Sequence, residues 1–83
     1  MTVLKLRGSE GNLGSASNVG FASLVRVLNN KTSVQVITHK NVGGDTLGTV
    51  TLAAGEVAYI SKKGDDTLTG AATSLAVSVA FAN

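Results

Sequence analysis

The sequence contains no cysteine and no tryptophan, and its single histidine is His39. Disulfide bonds are therefore excluded, and a structural zinc site, which draws on several cysteine or histidine ligands, is not expected. Three residues are aromatic, namely Phe21, Tyr59 and Phe81, so a platform that stacks nucleic-acid bases or sugar rings lacks its usual material. We expect these three side chains to lie in the core, and we expect the protein to bind no metal and no cofactor.

Charged residues are also few, at 14% of the chain, and seven lysines and arginines against five acidic residues give a net charge of +2. The basic side chains are scattered and form no stripe that could follow a phosphate backbone, so nucleic acid is not an expected partner. Apolar residues make up 43% of the sequence, but in short runs, so no segment is expected to span a bilayer. Lys5 and Arg7 stand where a signal peptide would need its apolar centre, which favours synthesis without secretion.

The 83 residues show no break in composition, which predicts one domain over residues 1–83. A chain of this length buries only about 60% of the surface that it exposes when unfolded, so its core is small. Small folds are usually reinforced by disulfides, a metal or a partner. Because the first two are not expected here, the sequence favours a protein that is stabilised by assembly with a partner.

Apolar residues recur at every second position rather than at the spacing of a helix, which predicts strands. We expect an all-β fold, a compact sandwich or flattened barrel of about six strands, most of them paired antiparallel. The predicted strands cover residues 2–7, 21–28, 33–40, 46–52, 56–62 and 75–82. A turn at residues 29–31 predicts that the second and third strands form a hairpin. Residues 67–73 are expected to be irregular or a single helical turn, and the Gly-, Ser- and Asn-rich segment 8–20 a long surface loop.

The last predicted strand has two dissimilar faces, because bulky Leu75, Val77, Val79 and Phe81 alternate with small residues. A face of small, uncharged side chains permits close approach by another sheet or another chain, so we expect it to be a contact surface. The N-terminal strand and segment 8–20 are expected to contribute to the same surface. The predicted contact residues are Leu4, Leu6, Arg7, Glu10, Asn12, Leu13, Asn18, Ala76, Ser78 and Ala80.

No group of residues has the pattern of an active site. The glycines of segment 8–20 lack the spacing of a dinucleotide-binding loop and open no helix. Asp65 and Asp66 are typical turn formers, and His39 is expected on the surface, with no nucleophile and acid converging on it. The lysines at 62–63 suit a solvated strand end, where their charge keeps a sheet edge from pairing with another chain. The alternative is a contact with phosphate or an acidic partner. We therefore expect that the protein is not an enzyme and has no catalytic residues.

The order of motifs along residues 21–82 permits a comparison with a known family. FASLVRVLNNKTSVQVITHK is followed by a glycine-rich turn, then by TLAAGEVAYISKKGDDTLTGAA and finally by LAVSVAFA. This succession resembles small virion proteins of tailed bacteriophages, particularly marine ones, in which a GE-containing strand leads to a lysine-rich step, an Asp-Thr-Leu turn and a final strand ending in Val-Ala-aromatic. The residues that carry the resemblance are Gly55, Glu56, Lys62, Lys63, Asp66, Thr67, Leu68, Val79, Ala80 and Phe81. One departure is that such sequences often carry proline before the Asp-Thr turn, where this chain has Gly64 and Asp65.

The resemblance implies a virion protein on the capsid exterior that is made in the host cytoplasm. The implied function is head decoration or cementing, in which a small β-rich knob binds the outer surface of the major capsid protein lattice and stabilises it, alone or as a dimer or trimer. Three alternatives stay open: another virion part such as a tail, neck or fibre protein, a small carbohydrate- or nucleic-acid-binding module, and an enzyme. The first is distinguished by the position of the protein in the particle, and the second by its retention on glycans or polyanions. An enzyme would lose a measured activity when His39 or Asp66 is changed.

Overall fold

A computed structural model describes residues 3–81 of the chain, and all regular structure in that range is β-strand. The strands are β1 (Leu4–Leu6), β2 (Gly11–Asn12), β3 (Leu24–Asn29), β4 (Gln35–Lys40), β5 (Thr46–Leu52), β6 (Val57–Ser61), β7 (Thr67–Thr69) and β8 (Ser74–Phe81). The prediction of an all-β fold is thereby confirmed. The strands outnumber the six predicted because β2 and β7 form in segments where the sequence predicted none.

The strands make two antiparallel sheets that face each other and do not close into a barrel. The larger sheet has the order β1-β8-β3-β6, with β2 also paired to β8, and the smaller has the order β5-β4-β7. β8 is central because β1 pairs with its C-terminal half and β2 with its N-terminal half along one side, while β3 pairs along the other. Of the two predicted architectures, the sandwich is the one that forms.

The predicted hairpin within residues 21–40 is wrong. β3 lies in the larger sheet between β6 and β8, so both of its sides are occupied, whereas β4 lies in the smaller sheet between β5 and β7. Residues 30–34 therefore carry the chain from one layer to the other instead of closing a hairpin. Two further corrections concern predicted loops: β7 adds to β4, and segment 8–20 contains β2 and a bridge between Ser17 and Leu68.

The hydrophobic core lies between the sheets, and its side chains within residues 3–81 are aliphatic. Its buried members are Leu13, Ala22, Val25, Val27, Ile37, Leu52, Leu68 and Ala76. The expectation that the aromatic residues lie in the core is wrong, because Phe21, Tyr59 and Phe81 are all exposed. β8 turns its small residues inward, and since alternate residues of a strand point to opposite faces, its bulky residues point outward.

A fully buried asparagine, Asn29, joins the two sheets at the end of β3. Its Nδ2 donates to the carbonyl of Ser33 at 2.9 Å and to the carbonyls of Leu52 and Ala53 at 3.0 Å each. Its Oδ1 accepts from the backbone N–H of Lys31 at 3.2 Å. One side chain thus holds the end of β5 and the lead-in to β4 against the larger sheet.

Candidate functional site

The most distinctive surface is the face of the larger sheet that points away from the smaller one. Because Val25 and Val27 of β3 point into the core, the alternate residues of β3 and their register partners on neighbouring strands share the opposite face. We call this surface the apolar outer face. It consists of Leu4, Leu6, Leu24, Leu28, Val57, Tyr59, Leu75, Val77, Val79 and Phe81.

Several large side chains on the apolar outer face are open to solvent. Leu6 is 70% exposed, Phe81 51% and Tyr59 45%. The rings of Tyr59 and Phe81 contact each other with centroids 5.4 Å apart and planes tilted by 52°. Small soluble proteins rarely expose contiguous apolar area of this kind, and aromatic residues are enriched where proteins bind one another. The face therefore has the composition of a protein interface.

The strands of the larger sheet, within the described range, place one charged side chain on this face, Arg26. Its guanidinium lies 3.7 Å from the carboxylate of Glu10, on the other side of β8. Since Val77 is the register partner of Arg26, the ion pair crosses over Val77, which is buried beneath it. The pair leaves the face close to neutral, which suits another protein surface better than a polyanion.

Four of the predicted contact residues lie on or beside the apolar outer face, namely Leu4, Leu6, Glu10 and Asn12, which is the register partner of Leu75. Two others correct the prediction. Leu13 is 1% exposed and Ala76 2% exposed, because both side chains pack between the two sheets. A partner cannot reach either side chain, so neither is a contact residue. At Ala76, the face of β8 that carries small residues packs against the smaller sheet, so it is not available to another chain.

Three of the remaining predicted contact residues, Arg7, Ser78 and Ala80, lie around the inward face of β8, beyond the part that the smaller sheet covers. Ser78 and Ala80 are half-buried there, and with Arg7 they line two neighbouring clefts of about 260 and 520 Å³. Asn12 and Asn18 also make local turns: the side-chain oxygen of Asn12 accepts from the N–H of Gly14 at 3.0 Å, and that of Asn18 accepts from the N–H of Phe21 at 3.3 Å. A partner role for these residues stays a prediction.

Sequence reasoning missed most of the apolar outer face. It took the small residues of β8 as the contact surface and expected Tyr59 and Phe81 in the core. One signal was available, since β3 and β8 are apolar at both odd and even positions, as in a strand that is covered on two sides. The smaller sheet covers one side of these strands, which leaves the other side for a partner.

A second cluster surrounds Asp66, between β6 and β7. His39 Nε2 lies 2.9 Å from Asp66 Oδ2, and the same oxygen accepts from the backbone N–H of Lys63 at 3.3 Å. The hydrogen bond from His39 is the main reason that the pKa of Asp66 lies below its ordinary value, and burial opposes it. Asp66 does form the predicted turn, since its backbone N–H also donates to the carbonyl of Lys63 at 3.0 Å. The sequence did not predict that the Asp66 side chain is buried and pairs with His39, which ties β4 to the turn before β7.

Lys62 corrects the sequence prediction in a similar way, because it is buried instead of solvated. Its Nζ donates to the carbonyls of Lys63 at 3.3 Å and Gly64 at 3.2 Å. Burial lowers the pKa of Lys62, and the carboxylates of Asp66 and Asp65 act in the opposite direction. The ammonium group therefore stabilises the turn between β6 and β7, and it does not protect the sheet edge from pairing with another chain.

The lowered pKa of Asp66 predicts a loss of stability in acid. Ionised Asp66 contributes stability that is fully present above its ordinary pKa of 3.8 and is lost as the pH falls through the lower value of the folded state. We expect Asp66→Asn to reduce the melting temperature at neutral pH and to flatten its decline below about pH 4. Thermal unfolding followed by circular dichroism across this range measures both effects. Asp65→Asn is the matched control, since Asp65 is the exposed neighbour. If the melting temperature of Asp66→Asn declined below pH 4 as steeply as that of the wild type, the assignment would be contradicted.

Within residues 3–81 there is no helix long and apolar enough to cross a membrane. In the same range, no three His, Cys, Asp or Glu side chains lie close enough to hold a metal ion. No protein-family model, curated protein or solved structure matches the chain. Fold and surface together define a small all-β protein of two antiparallel sheets, the larger of which has an exposed apolar outer face.

Proposed function

We propose that the chain is a structural protein of a tailed-bacteriophage virion, a head decoration or cement protein that binds the outer surface of the major capsid lattice and stabilises the shell. The observation that carries the proposal is the apolar outer face with its exposed Leu6, Tyr59 and Phe81. The resemblance of residues 21–82 to small virion proteins supplies the class of partner. The protein acts by binding alone, and the proposal gives it no catalytic role.

The size of the apolar outer face suits a contact that is repeated many times. The four strands β1, β8, β3 and β6 have 3, 8, 6 and 5 residues. At a spacing of about 4.8 Å between strands and about 3.3 Å per residue, they give a footprint on the order of 350 Å². Interfaces that are stable on their own usually bury about 800 Å² on each partner, so a single copy is expected to bind with moderate affinity. A moderate affinity at each site is sufficient on a lattice, because every bound copy adds to the stability of the shell through mass action.

Co-sedimentation with undecorated mature capsid shells and, separately, with purified tails tests the proposal. We expect saturable binding to shells with a fixed number of copies per shell, and no binding to tails. Binding should change little between low and high salt, because an apolar contact is not screened, whereas a polyanion-binding module loses affinity steeply. Binding to tails alone would reassign the protein to another virion part, and binding to neither would reject a virion role on these surfaces.

A further inference from the structure

A second surface is the free edge of the smaller sheet. β5 pairs with β4 along one side, and no described strand pairs along its other side. The six residues from Thr46 to Thr51 are all exposed. The strand, TLGTVTL, contains no charge and no proline, which are two of the features that natural proteins use to keep an edge from pairing.

The other sheet edges in residues 3–81 are less available. β1 is three residues long and carries Lys5, β2 is two residues long, and β7 is three residues long with a bridge from Ser17 on its free side. The edge of β6 is uncharged and borders the same cleft as β5, but β6 is shorter, and three of its five residues are half-buried. β5 is therefore the longest exposed edge without charge or proline that the structure describes.

A bulge sets the limits of the pairing-competent part of β5. His39 of β4 pairs with Gly48 and Lys40 pairs with Thr46, so Leu47 has no register partner. The regular edge consequently runs from Gly48 to the end of the strand at Leu52, and its middle residue is Val50. An antiparallel pairing of this edge with a copy of itself uses its full length only when the two-fold axis passes through Val50.

We infer that two copies of the chain associate through β5, antiparallel and with Val50 opposite its counterpart. Thr49 then pairs with Thr51 of the other copy, and no like charges meet because the edge is uncharged. β-branched residues on both strands are the residues that pair best across such a ladder. Thr49 already lies in a row with Thr38 and Thr69 across the smaller sheet, and the pairing continues this row into the second copy.

The symmetry of the pairing fixes the direction of the apolar outer faces. A symmetric antiparallel pairing has its two-fold axis perpendicular to the sheet, so both larger sheets lie on the same side of the joined, six-stranded sheet. Both apolar outer faces then point the same way and remain free. The inference goes beyond the proposed function and does not depend on it, but a dimer of this kind would dock on a lattice through two sites at once.

Sedimentation equilibrium of the purified chain and three variants tests the inference. We expect a dimer, with twice the mass of the 8.3 kDa chain, for the wild type. Thr49→Lys should weaken the dimer at least about tenfold, because a lysine is placed in the pairing edge. Thr69→Lys is the matched control, since it makes the same change in the same row at the opposite edge and should leave the dimer intact. The double variant Thr49→Lys with Thr51→Glu should restore the dimer, because this register places position 49 opposite position 51.

Three results would overturn the inference: a monomeric wild type at every soluble concentration, a Thr49→Lys variant with unchanged mass, or a dimer that dissociates on Leu6→Lys and not on Thr49→Lys. The last would assign the contact between copies to the apolar outer face. Amide hydrogen exchange gives a readout that needs no substitution, since the outward N–H groups of residues 48–52 should become protected as the protein concentration rises. No capsid shell is used, so failure here leaves the proposed function to its own test.

Discussion

Asn29→Ala is expected to lower the free energy of unfolding by about 3 kcal/mol or more, which for a domain of this size lowers the melting temperature by roughly 12 to 24 °C. The substitution removes the partner of three carbonyl groups and of one backbone N–H. Each buried polar group that loses its partner costs about 1–3 kcal/mol. The carbonyl groups of Ser33 and Ala53 are only partly buried, so hydrogen bonds to water offset part of their cost. Since small domains have total stabilities at the lower end of about 5–15 kcal/mol, a large share of the molecules should unfold at physiological temperature.

The control for Asn29→Ala is Asn30→Ala, a change of the same residue type at the next, exposed position. Asn30 contributes a backbone N–H to the carbonyl of Thr73, which alanine retains. Asn29→Asp is a second informative variant, because it keeps the acceptor for Lys31 but replaces the donor with a carboxylate facing three carbonyl oxygens. It should be at least as destabilising as alanine. Thermal and urea unfolding measure all three, and a melting temperature for Asn29→Ala within a few degrees of Asn30→Ala would contradict the role assigned to this side chain.

Asn29 also shows why strand positions could be predicted from the sequence while sheet membership could not. The period-two pattern of residues 24–28 and 35–40 is local, and it predicted the strands that form there. The Asn29, Asn30 and Lys31 triplet is equally typical of a hairpin turn and of a connection between layers. What decides between them is the bonding of Asn29 to Leu52 and Ala53, which are distant in sequence. No local pattern contains that contact.

The candidate surface was predicted in part for a related reason. The alternation along β8 was correct, but alternation does not say which face points inward. The general preference for bulky residues in the core favours the face of Val77 and Phe81, whereas the structure packs Ala76 between the sheets and leaves Val77 buried on the opposite face. Side chains from other strands decide the matter, because Val25 and Val27 of the neighbouring strand and Ile37 of the smaller sheet belong to the same buried cluster as Ala76.

The contact between His39 and Asp66 illustrates the same limit at the level of a single pair. Each residue, taken in its own segment, suggests an exposed side chain: one near the end of a strand and one in an acidic turn. Their pairing depends on β7 adding to β4, so that the residues preceding Thr67 come next to the end of β4. Because β7 was not predicted, the pair could not be predicted either.

Leu6→Lys is expected to reduce the affinity for mature capsid shells by about a hundredfold or more. If the apolar outer face is covered by the lattice, the lysine brings an unpaired charge into the contact, which costs about 3–5 kcal/mol when the charge is fully buried. Leu6 is largely exposed in the free protein, so the fold should be retained, and circular dichroism verifies this. Val36→Lys is the control, because Val36 is an exposed apolar residue on the outer face of the smaller sheet, where the same charge should leave binding unchanged.

Comparing Leu6→Lys with Thr49→Lys separates the docking face from the contact between copies. Leu6→Lys should remove binding to shells and leave the dimer intact, because Leu6 lies in the larger sheet and β5 in the smaller. Thr49→Lys should leave each docking face intact but lower the apparent affinity for shells, because two linked sites become one. If Leu6→Lys binds shells as well as Val36→Lys does, the apolar outer face does not dock on the lattice. Equal losses from Leu6→Lys and Val36→Lys would instead indicate a general effect of added charge on shell binding.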